Sequence, residues 1–256
     1  MAIHLISSRN TLKEFYISGG VIEMDICVIG SCGKRKKTSS TLAPDCEQIL
    51  KKKDLSIWRE KLNHLLVPAR DMYTGNQNRE LKKGVDLLRE IDDVSVDYFI
   101  ISAGFGLLAE NEPIPPYECS FSSMKSRDIQ LRAKNLSIVS DFLTICEKNH
   151  DLMYLALGKS YLISLGSDWQ SSFSGTLIAF DSKLDGPNTV IVPSGNSTVR
   201  SFSRRGYKIH GAAGFKGDLL RILANYVLEQ DDSYNEISSW LEPFYLQQTI
   251  FSIGGI

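Results

Sequence analysis

The apolar residues of this chain form two kinds of pattern, short continuous runs and helically spaced sets, which alternate along the sequence. The continuous runs predict buried strands, because a strand that is covered on both faces shows no polar alternation. They span residues 25–31, 96–103, 152–157, 176–180 and 189–192, and a further strand is predicted at 207–209. Together they are typical of a parallel sheet that carries helices on both faces.

The stretches between these runs carry apolar residues at spacings of three and four, which predict amphipathic helices. The helices span residues 44–66, 78–91, 127–148, 160–165, 215–229 and 235–244, while 32–43, 68–76, 104–121 and 193–206 predict loops. We therefore predict a single α/β domain over residues 24–256, a three-layer α/β/α architecture with a mainly parallel central sheet. Ligands of such sheets bind beyond the carboxyl ends of the strands, so the loops after residues 31, 103 and 192 are the informative ones.

The first 23 residues lack the long apolar segment of a signal peptide, and no run in the chain approaches the roughly 18 apolar residues of a membrane span. Met24 directly precedes the first predicted strand. We hypothesise that the functional chain begins at Met24 and that residues 1–23 are an overlong gene prediction or a loosely attached arm.

Charge is distributed unevenly, although 29 Lys and Arg against 30 Asp and Glu give the 256 residues a net charge of only −1. Residues 32–84 hold 13 basic and 6 acidic residues, a net charge of +7. Residues 199–221 hold 6 basic residues and 1 acidic residue, a net charge of +5. Acidic segments at 85–121 (1 basic, 8 acidic) and 225–256 (none basic, 5 acidic) offset them. If the first and fifth strands are neighbours, the basic segments share one sheet edge and concentrate phosphate there; otherwise they are solvated loops.

The five cysteines form no CxxC pair, and the four histidines supply no closely spaced pair of ligands. An odd, scattered set of cysteines without a secretion signal predicts reduced thiols and a cytoplasmic location. Because zinc sites need closely spaced ligands, we predict no metal and no cofactor.

The loop after the first strand, SCGKRK at residues 31–36, is the first candidate for chemistry. Its small residues leave backbone N–H groups free to face an anion, and its lysines add positive charge. Cys32, Lys34 and Lys36 are therefore candidate phosphate contacts. Cys32 beside two lysines is also a candidate nucleophile, although no histidine lies nearby in sequence to act as its base.

A dense polar cluster, PARDMYTG, occupies residues 68–75. Arg70 is a candidate phosphate clamp, and Tyr73 a candidate platform for a stacked base. Asp71 is a candidate catalytic carboxylate. The alternative is a capped turn that Tyr73 packs against the core.

The loop after the second strand joins SAGFGLL to a proline-rich segment, PIPPYE. Ser102, Gly104, Phe105 and Tyr117 are candidate base contacts, since the glycines permit close backbone approach and the prolines fix an extended chain. Glu118 is a candidate catalytic carboxylate at the end of this segment. A rigid connector without chemistry is the alternative.

The loop after the fifth strand, PSGNSTVRSFSRRG, combines small polar residues with arginines. Ser194, Asn196, Arg200 and Arg204 are candidate contacts to a sugar-phosphate backbone. His210 follows the loop and is a candidate proton donor or electrostatic stabiliser. A structural histidine with satisfied hydrogen bonds is the alternative.

Three of these blocks, in this order, resemble a widespread bacterial domain family of uncharacterised function. Its members show Ser-Cys-x-Lys-x-Lys, then Pro-Ala-x-Asp-Leu-Tyr-x-Gly, then Ser-Ala-x-x-Gly-Leu followed by Pro-Tyr. The resemblance covers residues 25–121, and the pair Gly104-Phe105 stands where the family often has Lys-Tyr. That family is similar to the archaeosine-synthase partner domain and to the uracil-DNA-glycosylase-like α/β fold, and some relatives are antiphage DNA glycosylases.

The resemblance implies a nucleobase or nucleic-acid substrate. We expect a DNA glycosylase of antiviral defence that hydrolyses the N-glycosidic bond of a modified base, with DNA as partner, and leaves an abasic site. Tyr73 or Phe105 would stack on the extruded base, and Asp71 or Glu118 would stabilise the sugar cation or orient water.

Two alternatives stay open on the sequence alone. One is a base-modifying or transglycosylating enzyme that acts on RNA, which a covalent adduct at Lys34 or Lys36 would favour. The other is a non-enzymatic stress protein that binds nucleotides or nucleic acid, since every loop described above would serve it too.

Overall fold

The core of the fold is a six-stranded sheet, and five of its strands coincide with the predicted apolar runs. The computed structural model describes residues 23–167 and 169–256. In chain order, the strands of this sheet and of a separate two-stranded pair are β1 (Met24–Ser31), β2 (Val67–Pro68), β3 (Val94–Ser102), β4 (Gly106–Ala109), β5 (Pro113–Ile114), β6 (Leu152–Leu155), β7 (Thr176–Ala179) and β8 (Thr189–Ile191).

The sheet has the order β4-β3-β1-β6-β7-β8, and β2 pairs with β5 outside it. Every neighbouring pair in the sheet is parallel except β3 with β4, so the predicted mainly parallel sheet is confirmed. Met24 begins β1, and residues 1–22 of the hypothesised arm lie outside the described residues.

Helices cover both faces of the sheet, consistent with a three-layer α/β/α architecture. Right-handed crossovers place the helix that joins β1 to β3 and those that join β3 to β6 on opposite faces, because the two connections run in opposite directions across the sheet. The helices are α1 (Asp54–Lys61), α2 (Ala69–Met72), α3 (Asn76–Leu88), α4 (Ser126–Asn135), α5 (Ile138–Glu147), α6 (Lys159–Ile163), α7 (Asn196–Arg204), α8 (Phe215–Leu228), α9 (Ser233–Ser238) and α10 (Pro243–Gly254).

Contacts between helices show which helices share each outer layer. On one face α3 packs along α8, and α10 packs on α7 and β8, while on the other face α4 contacts α5 and α6. Within the described ranges, no helix is both long enough and apolar enough to cross a membrane.

Two predicted long helices are shorter or divided in the structure. Only α1 and a 3-10 turn at Asn63–Leu65 are helical within residues 44–66. The predicted helix at 127–148 divides into α4 and α5 because Ser137 adopts a left-handed conformation with φ of 58°. Leu136 and Ile138 are buried on either side of this break, so the apolar spacing continues across it and does not reveal it.

Several predicted loops contain regular structure, and one predicted strand is wrong. Residues 193–206 contain α7, and buried Phe202 is the main residue of its narrow apolar face. Residues 104–121 contain β4 and β5, and 68–76 contains α2. Residues 207–209 form no strand; they belong to the connection between α7 and α8.

A disulfide bond joins Cys46 to Cys119 across 73 residues of sequence, so the prediction that all five cysteines are unpaired thiols is wrong. The fold brings the two segments together, because the Glu118 backbone N–H donates to the Pro44 carbonyl over 2.8 Å. Sequence spacing carries no signal for a pairing at this distance. The inference of a reducing compartment from unpaired cysteines therefore loses its basis.

Replacing Cys46 and Cys119 together by serine should lower the free energy of unfolding by about 4 kcal/mol, because the bond closes a loop of 73 residues in the unfolded chain. Urea unfolding of the variant and of the unreduced parent measures this difference. Thiol titration of the denatured, unreduced parent should find three free cysteines, namely Cys27, Cys32 and Cys146. Five titratable thiols would contradict the assignment.

Candidate functional site

The carboxyl edge of the sheet has a topological switch point between β1 and β6. From β1 the chain crosses to β3 on one side, whereas from β6 it continues to β7 on the other. The connections therefore diverge and leave a crevice at the strand ends, which is where ligands bind in open α/β sheets. The crevice is bordered by the residues that follow β1 and β6.

Three elements meet at this crevice and are tied to one another by side chains. Gln77, in the first turn of α3, donates from Nε2 to the Ala156 carbonyl beyond the end of β6 over 3.0 Å. Tyr161 of α6 reaches back to the end of β1, where its hydroxyl lies 2.9 Å from the Cys32 Sγ atom. The crevice is thus held in a fixed shape before any ligand binds.

Asn78 places an unsatisfied polar atom beside the crevice. Its Oδ1 atom is one of three buried side-chain N or O atoms without a hydrogen-bond partner in the described part of the chain. The side chain faces Gly33, where an added Cβ would lie 3.1 Å from the Asn78 Nδ2 atom, so a larger residue at 33 would crowd it. A buried carbonyl without a donor costs about 1–3 kcal/mol, which a ligand donor would recover.

Helices α3 and α7 direct uncapped N-termini towards the same edge. Gly75 precedes α3 and Gly195 precedes α7, and neither helix has a side-chain cap. An added Cβ at either glycine would meet nothing within 4 Å, so the space above both termini is open. Free N–H groups and the helix dipole favour an anion at such positions.

The N-termini of α3 and α7 lie apart along the sheet edge. The start of α3 is tied to the end of β6 through Gln77, and α7 follows β8, which is two strands away. Two strand spacings amount to roughly 10 Å. This separation suits two charges of an extended polyanion better than the oxygens of one phosphate group.

His210 is held in one orientation by a buried carboxylate. Asp218, fully buried in the first turns of α8, lies 2.7 Å from the Nδ1 atom through Oδ1 and accepts the His210 backbone N–H through Oδ2, also over 2.7 Å. A carboxylate on Nδ1 leaves Nε2 as the nitrogen that faces a substrate or water. Of the three residues predicted to be catalytic, His210 is the one with such a positioning partner.

Glu80 joins this pair in a compact ionic cluster. Potential metal-ligand atoms of Glu80, His210 and Asp218 all lie within 4.8 Å of one another. Arg221 and Lys83 contact the Glu80 carboxylate over 2.7 Å and 2.9 Å, and they outweigh its burial, so the pKa of Glu80 is lowered. Charge is therefore balanced within the cluster without a bound cation.

Lys216 adds an unusual amine to the same edge. It lies in the first turn of α8, and its Nζ atom is 5.4 Å from the centroid of the Phe180 ring beyond β7. Burial lowers the pKa of the Lys216 ammonium group. Burial disfavours the charged form of Lys216, and so does the positive end of the helix on which it lies. A nearby anion would stabilise the ammonium group.

The residues predicted to contact the base form a closed, buried network instead. The Tyr73 hydroxyl lies 2.8 Å from that of Tyr117, which accepts from Ser102 over 2.7 Å. Phe105 packs edge-on against Tyr117 with centroids 4.8 Å apart, and an added Cβ at Gly104 would strike the same ring at 2.6 Å. With both faces covered, Tyr73 and Phe105 offer no surface to a base, which corrects the predicted stacking role.

Arg70 and Asp71 are engaged in ion pairs on the flank of the sheet. Arg70 contacts Asp86 and, over 2.9 Å, Glu110, so it is not a free phosphate clamp as predicted. Asp71 pairs with Lys82 of α3, and this hydrogen bond lowers the pKa of the Asp71 carboxyl group. These pairings fix α2 against α3 and β4, which explains why charged residues occur in the PARDMYTG block.

The lysines of the SCGKRK loop divide between solvent and core. Lys34 is exposed and remains a candidate phosphate contact, whereas the Lys36 amine lies 4.7 Å from the Tyr117 ring centroid with its side chain only 7% exposed. Glu118 lies 3.9 Å from Lys36 with its own carboxylate largely exposed. Cys32 is buried, so neither it nor Lys36 presents its polar end to a phosphate as predicted.

The fifth-strand loop contributes through α7 rather than through an extended segment. Asn196, Arg200 and Arg204 lie on α7 and are exposed, and half-buried Ser194 precedes it. Ser194, Asn196 and Arg200 remain candidate phosphate contacts, whereas Arg204 ends α7 about 12 Å from its start and lies away from the carboxyl edge, which corrects its predicted role. Because β6 and β7 separate β8 from β1, the two basic segments occupy the same edge without being neighbours.

Sequence reasoning missed Gln77, Asn78 and Tyr161, which border the crevice, and Asp218, which orients His210. A partial signal for the first two was present, since Gly75 and Asn76 are residue types that occur where a helix begins, which would place Gln77 and Asn78 in its first turn. For Tyr161 and Asp218 there was no local signal, because their partners Cys32 and His210 meet them only through tertiary packing.

No model of a known protein family matches this chain, and no curated protein sequence is detectably similar to it. The site is therefore interpreted from its geometry and from the motif resemblance.

Replacing Asn78 with leucine should leave the free energy of unfolding of the free protein unchanged or raise it by up to about 1 kcal/mol, because the change removes an unpartnered buried carbonyl. The matched variant Gln77→Leu loses a satisfied hydrogen bond and should cost about 1 kcal/mol. Chemical denaturation of both variants measures the contrast. A loss above about 2 kcal/mol for Asn78→Leu would show that the free protein already satisfies this carbonyl.

Replacing Asp71 with asparagine should cost about 0.5–1 kcal/mol of stability at neutral pH, the usual contribution of a partly exposed ion pair. Since the pKa of Asp71 is lowered in the folded state, this contribution exists above the unfolded-state pKa and is lost as the carboxyl group is protonated at lower pH. Unfolding curves of parent and variant should converge below about pH 4. A difference that is constant from pH 7 to pH 3 would exclude the ion pair as its source.

Proposed function

We propose that this chain is an N-glycosyl hydrolase that removes a modified base from DNA, leaves an abasic site, and acts in defence against foreign DNA. The motif blocks at residues 25–121 support the reaction class, because the family they resemble is related to DNA glycosylases. On the same ground we propose that the parallel sheet belongs to the uracil-DNA-glycosylase-like fold.

The observation that carries the proposal is the pair of open, glycine-preceded helix N-termini on one sheet edge. Together with exposed Lys34, which follows β1, and exposed Arg200, in the second turn of α7, they supply anion sites along the strand ends. A nucleic-acid strand presents phosphates at regular intervals and binds such a row through charge and backbone N–H groups. The net charge of −1 does not argue against a polyanionic partner, since the acidic segments at 85–121 and 225–256 offset the basic ones and exposed Lys34 and Arg200 lie at this edge.

The target base would be taken out of the helix stack and held at the carboxyl edge, since an enzyme cannot reach a glycosidic bond within a duplex. Asn78 supports recognition there, because its unpartnered Oδ1 atom would accept from a donor on the bound nucleotide. A ligand without such a donor would leave the Asn78 carbonyl unpaired and would bind more weakly. This acceptor would therefore discriminate between closely related nucleotides.

His210 supports the chemical step. Asp218 orients the ring and would stabilise the positive charge that it gains as it takes a proton from the attacking water. Cleavage then releases the base with the electron pair of the glycosidic bond, and water supplies the new C1′–O bond. Asp71 and Glu118 have no role in this scheme, because Lys82 holds the first and the second points into solvent.

A non-enzymatic nucleic-acid-binding protein is the second candidate. It is favoured by the position of Asp71 and Glu118, which leaves the crevice without the pair of carboxylates that the sequence predicted. The same helix N-termini and cations would serve binding alone. The two candidates differ in whether any base is released.

The test is incubation of the protein with modified and unmodified duplexes, followed by alkaline cleavage at abasic sites. The parent should cut a modified DNA, and His210→Asn should reduce the single-turnover rate by about 10²–10⁴-fold, the usual contribution of a general acid or base. Asparagine keeps a donor towards Asp218, so folding is preserved. Exposed His64, on the 3-10 turn before β2, provides the control variant His64→Asn, which should retain the parent rate.

Absence of strand breaks on every modified DNA, with salt-dependent binding retained, would support the binding protein and reject the enzyme. Cleavage that survives His210→Asn at the parent rate would keep the enzyme and remove His210 from its mechanism.

A further inference from the structure

Lys216 is a half-buried lysine at the carboxyl edge that takes no part in the hydrolytic scheme. The start of its helix lies against the start of α3, because an added Cβ at Gly217 would be 2.2 Å from the Gln77 carbonyl oxygen. Tyr154 of β6 donates from its hydroxyl group to the Lys216 carbonyl over 2.6 Å. Lys216 therefore lies on the same face of the sheet as α3, beside a strand that borders the crevice.

The Lys216 amine lies between the open N-termini of α3 and α7. Its Nζ atom is 5.4 Å from the centroid of the Phe180 ring, and Phe180 directly follows β7. The start of α3 is tied to the end of β6, and α7 follows β8, so β7 is the strand between them. Strand spacing then places the amine roughly 5 Å along the edge from each terminus. A DNA strand whose phosphates occupy both termini would present the sugar backbone between them to this amine.

The environment of Lys216 favours a nucleophile. Burial lowers the pKa of the Lys216 amine, and no carboxylate of the described residues offsets this effect. More of the amine is therefore neutral at neutral pH than in an exposed lysine. Neutral lysine amines add to carbonyl carbon atoms and form Schiff bases, and desolvation activates them. Lys34 and Lys159, which follow β1 and β6 at the same edge, are exposed and lack this activation.

We propose that Lys216 attacks the abasic sugar that base release leaves behind, and that the protein then cuts the DNA strand at this sugar. The inference rests on the proposed function and adds a second activity to it, that of an abasic-site lyase. The substrate of this activity is an aldehyde flanked by phosphates, which matches an amine flanked by two anion sites.

The step begins from the ring-opened abasic sugar, in which C1′ is an aldehyde carbon. The Lys216 nitrogen uses its lone pair to form a bond to C1′. The aldehyde oxygen takes up one proton from the amine and one from solvent and leaves as water, so an iminium ion remains. C2′ then loses a proton to water, the C–H electron pair becomes a C2′–C3′ double bond, and the 3′-phosphate departs with the electron pair of the C3′–O bond. Hydrolysis of the iminium ion returns the free amine.

The experiment gives the full chain a duplex that already contains an abasic site, so the result does not depend on base release. The parent should cut this duplex without alkali. Cyanoborohydride, which reduces an iminium ion, should convert the complex into a covalent adduct, and peptide mass spectrometry should locate the adduct on Lys216. Lys216→Arg keeps the positive charge and should lose both the cut and the adduct. The matched variant Lys159→Arg, at an exposed lysine of the same edge, should keep the parent rate.

The adduct on the parent identifies the attacking lysine even if Lys216→Arg is poorly folded. An adduct on Lys34, on Lys159 or on several lysines, or a cut that survives Lys216→Arg, would overturn the proposal. An abasic duplex that stays intact without alkali, in a protein that releases a modified base, would overturn the lyase and leave the proposed function standing. Cutting through Lys216 in a protein that releases no base would keep the lyase and reject base excision.

Discussion

The rest of the structure depends on one constraint, the pairing of β1 with a parallel strand on each of its two sides. Parallel hydrogen bonding to β3 and to β6 fixes the register of three strands and brings the ends of β1 and β6 to the same edge. The connections that leave these two ends diverge, so the crevice is a consequence of strand order and not of any one loop. Gln77 and Tyr161 then close its sides, one from each outer layer.

The sheet was predictable from sequence because a fully buried strand is marked by its own residues. Continuous apolar runs such as 25–31 need no tertiary information to be recognised. Helix boundaries were less predictable, since Ser137 breaks a helix through its backbone conformation while the apolar spacing continues. The Cys46–Cys119 bond was not predictable at all, because it depends on the fold that brings residues 44–46 beside 118–119.

The candidate site was predictable only in part, for a reason that concerns hydrogen bonding. Polar and aromatic residues in a loop at a strand end predict ligand contacts, yet Ser102, Tyr73 and Tyr117 satisfy one another in the interior. Such a network rigidifies the loops that surround a site without touching a ligand. Arg70 is similar, because Asp86 and Glu110 hold its two terminal nitrogens. Sequence shows which groups are polar but not which of them the fold leaves unpaired.

Unpaired groups are therefore the more informative signal once the fold is known. A folded chain leaves few buried polar atoms unsatisfied, because each costs free energy that the rest of the structure must offset. The Asn78 carbonyl and the open N-termini beyond Gly75 and Gly195 lie on one edge of one sheet. Most other helices also lack a side-chain cap, and the other unpartnered buried atoms, Arg70 Nε and His150 Nδ1, lie elsewhere, so the informative feature is the shared edge. It follows directly if a single anionic ligand, extended along the strand ends, supplies the missing partners.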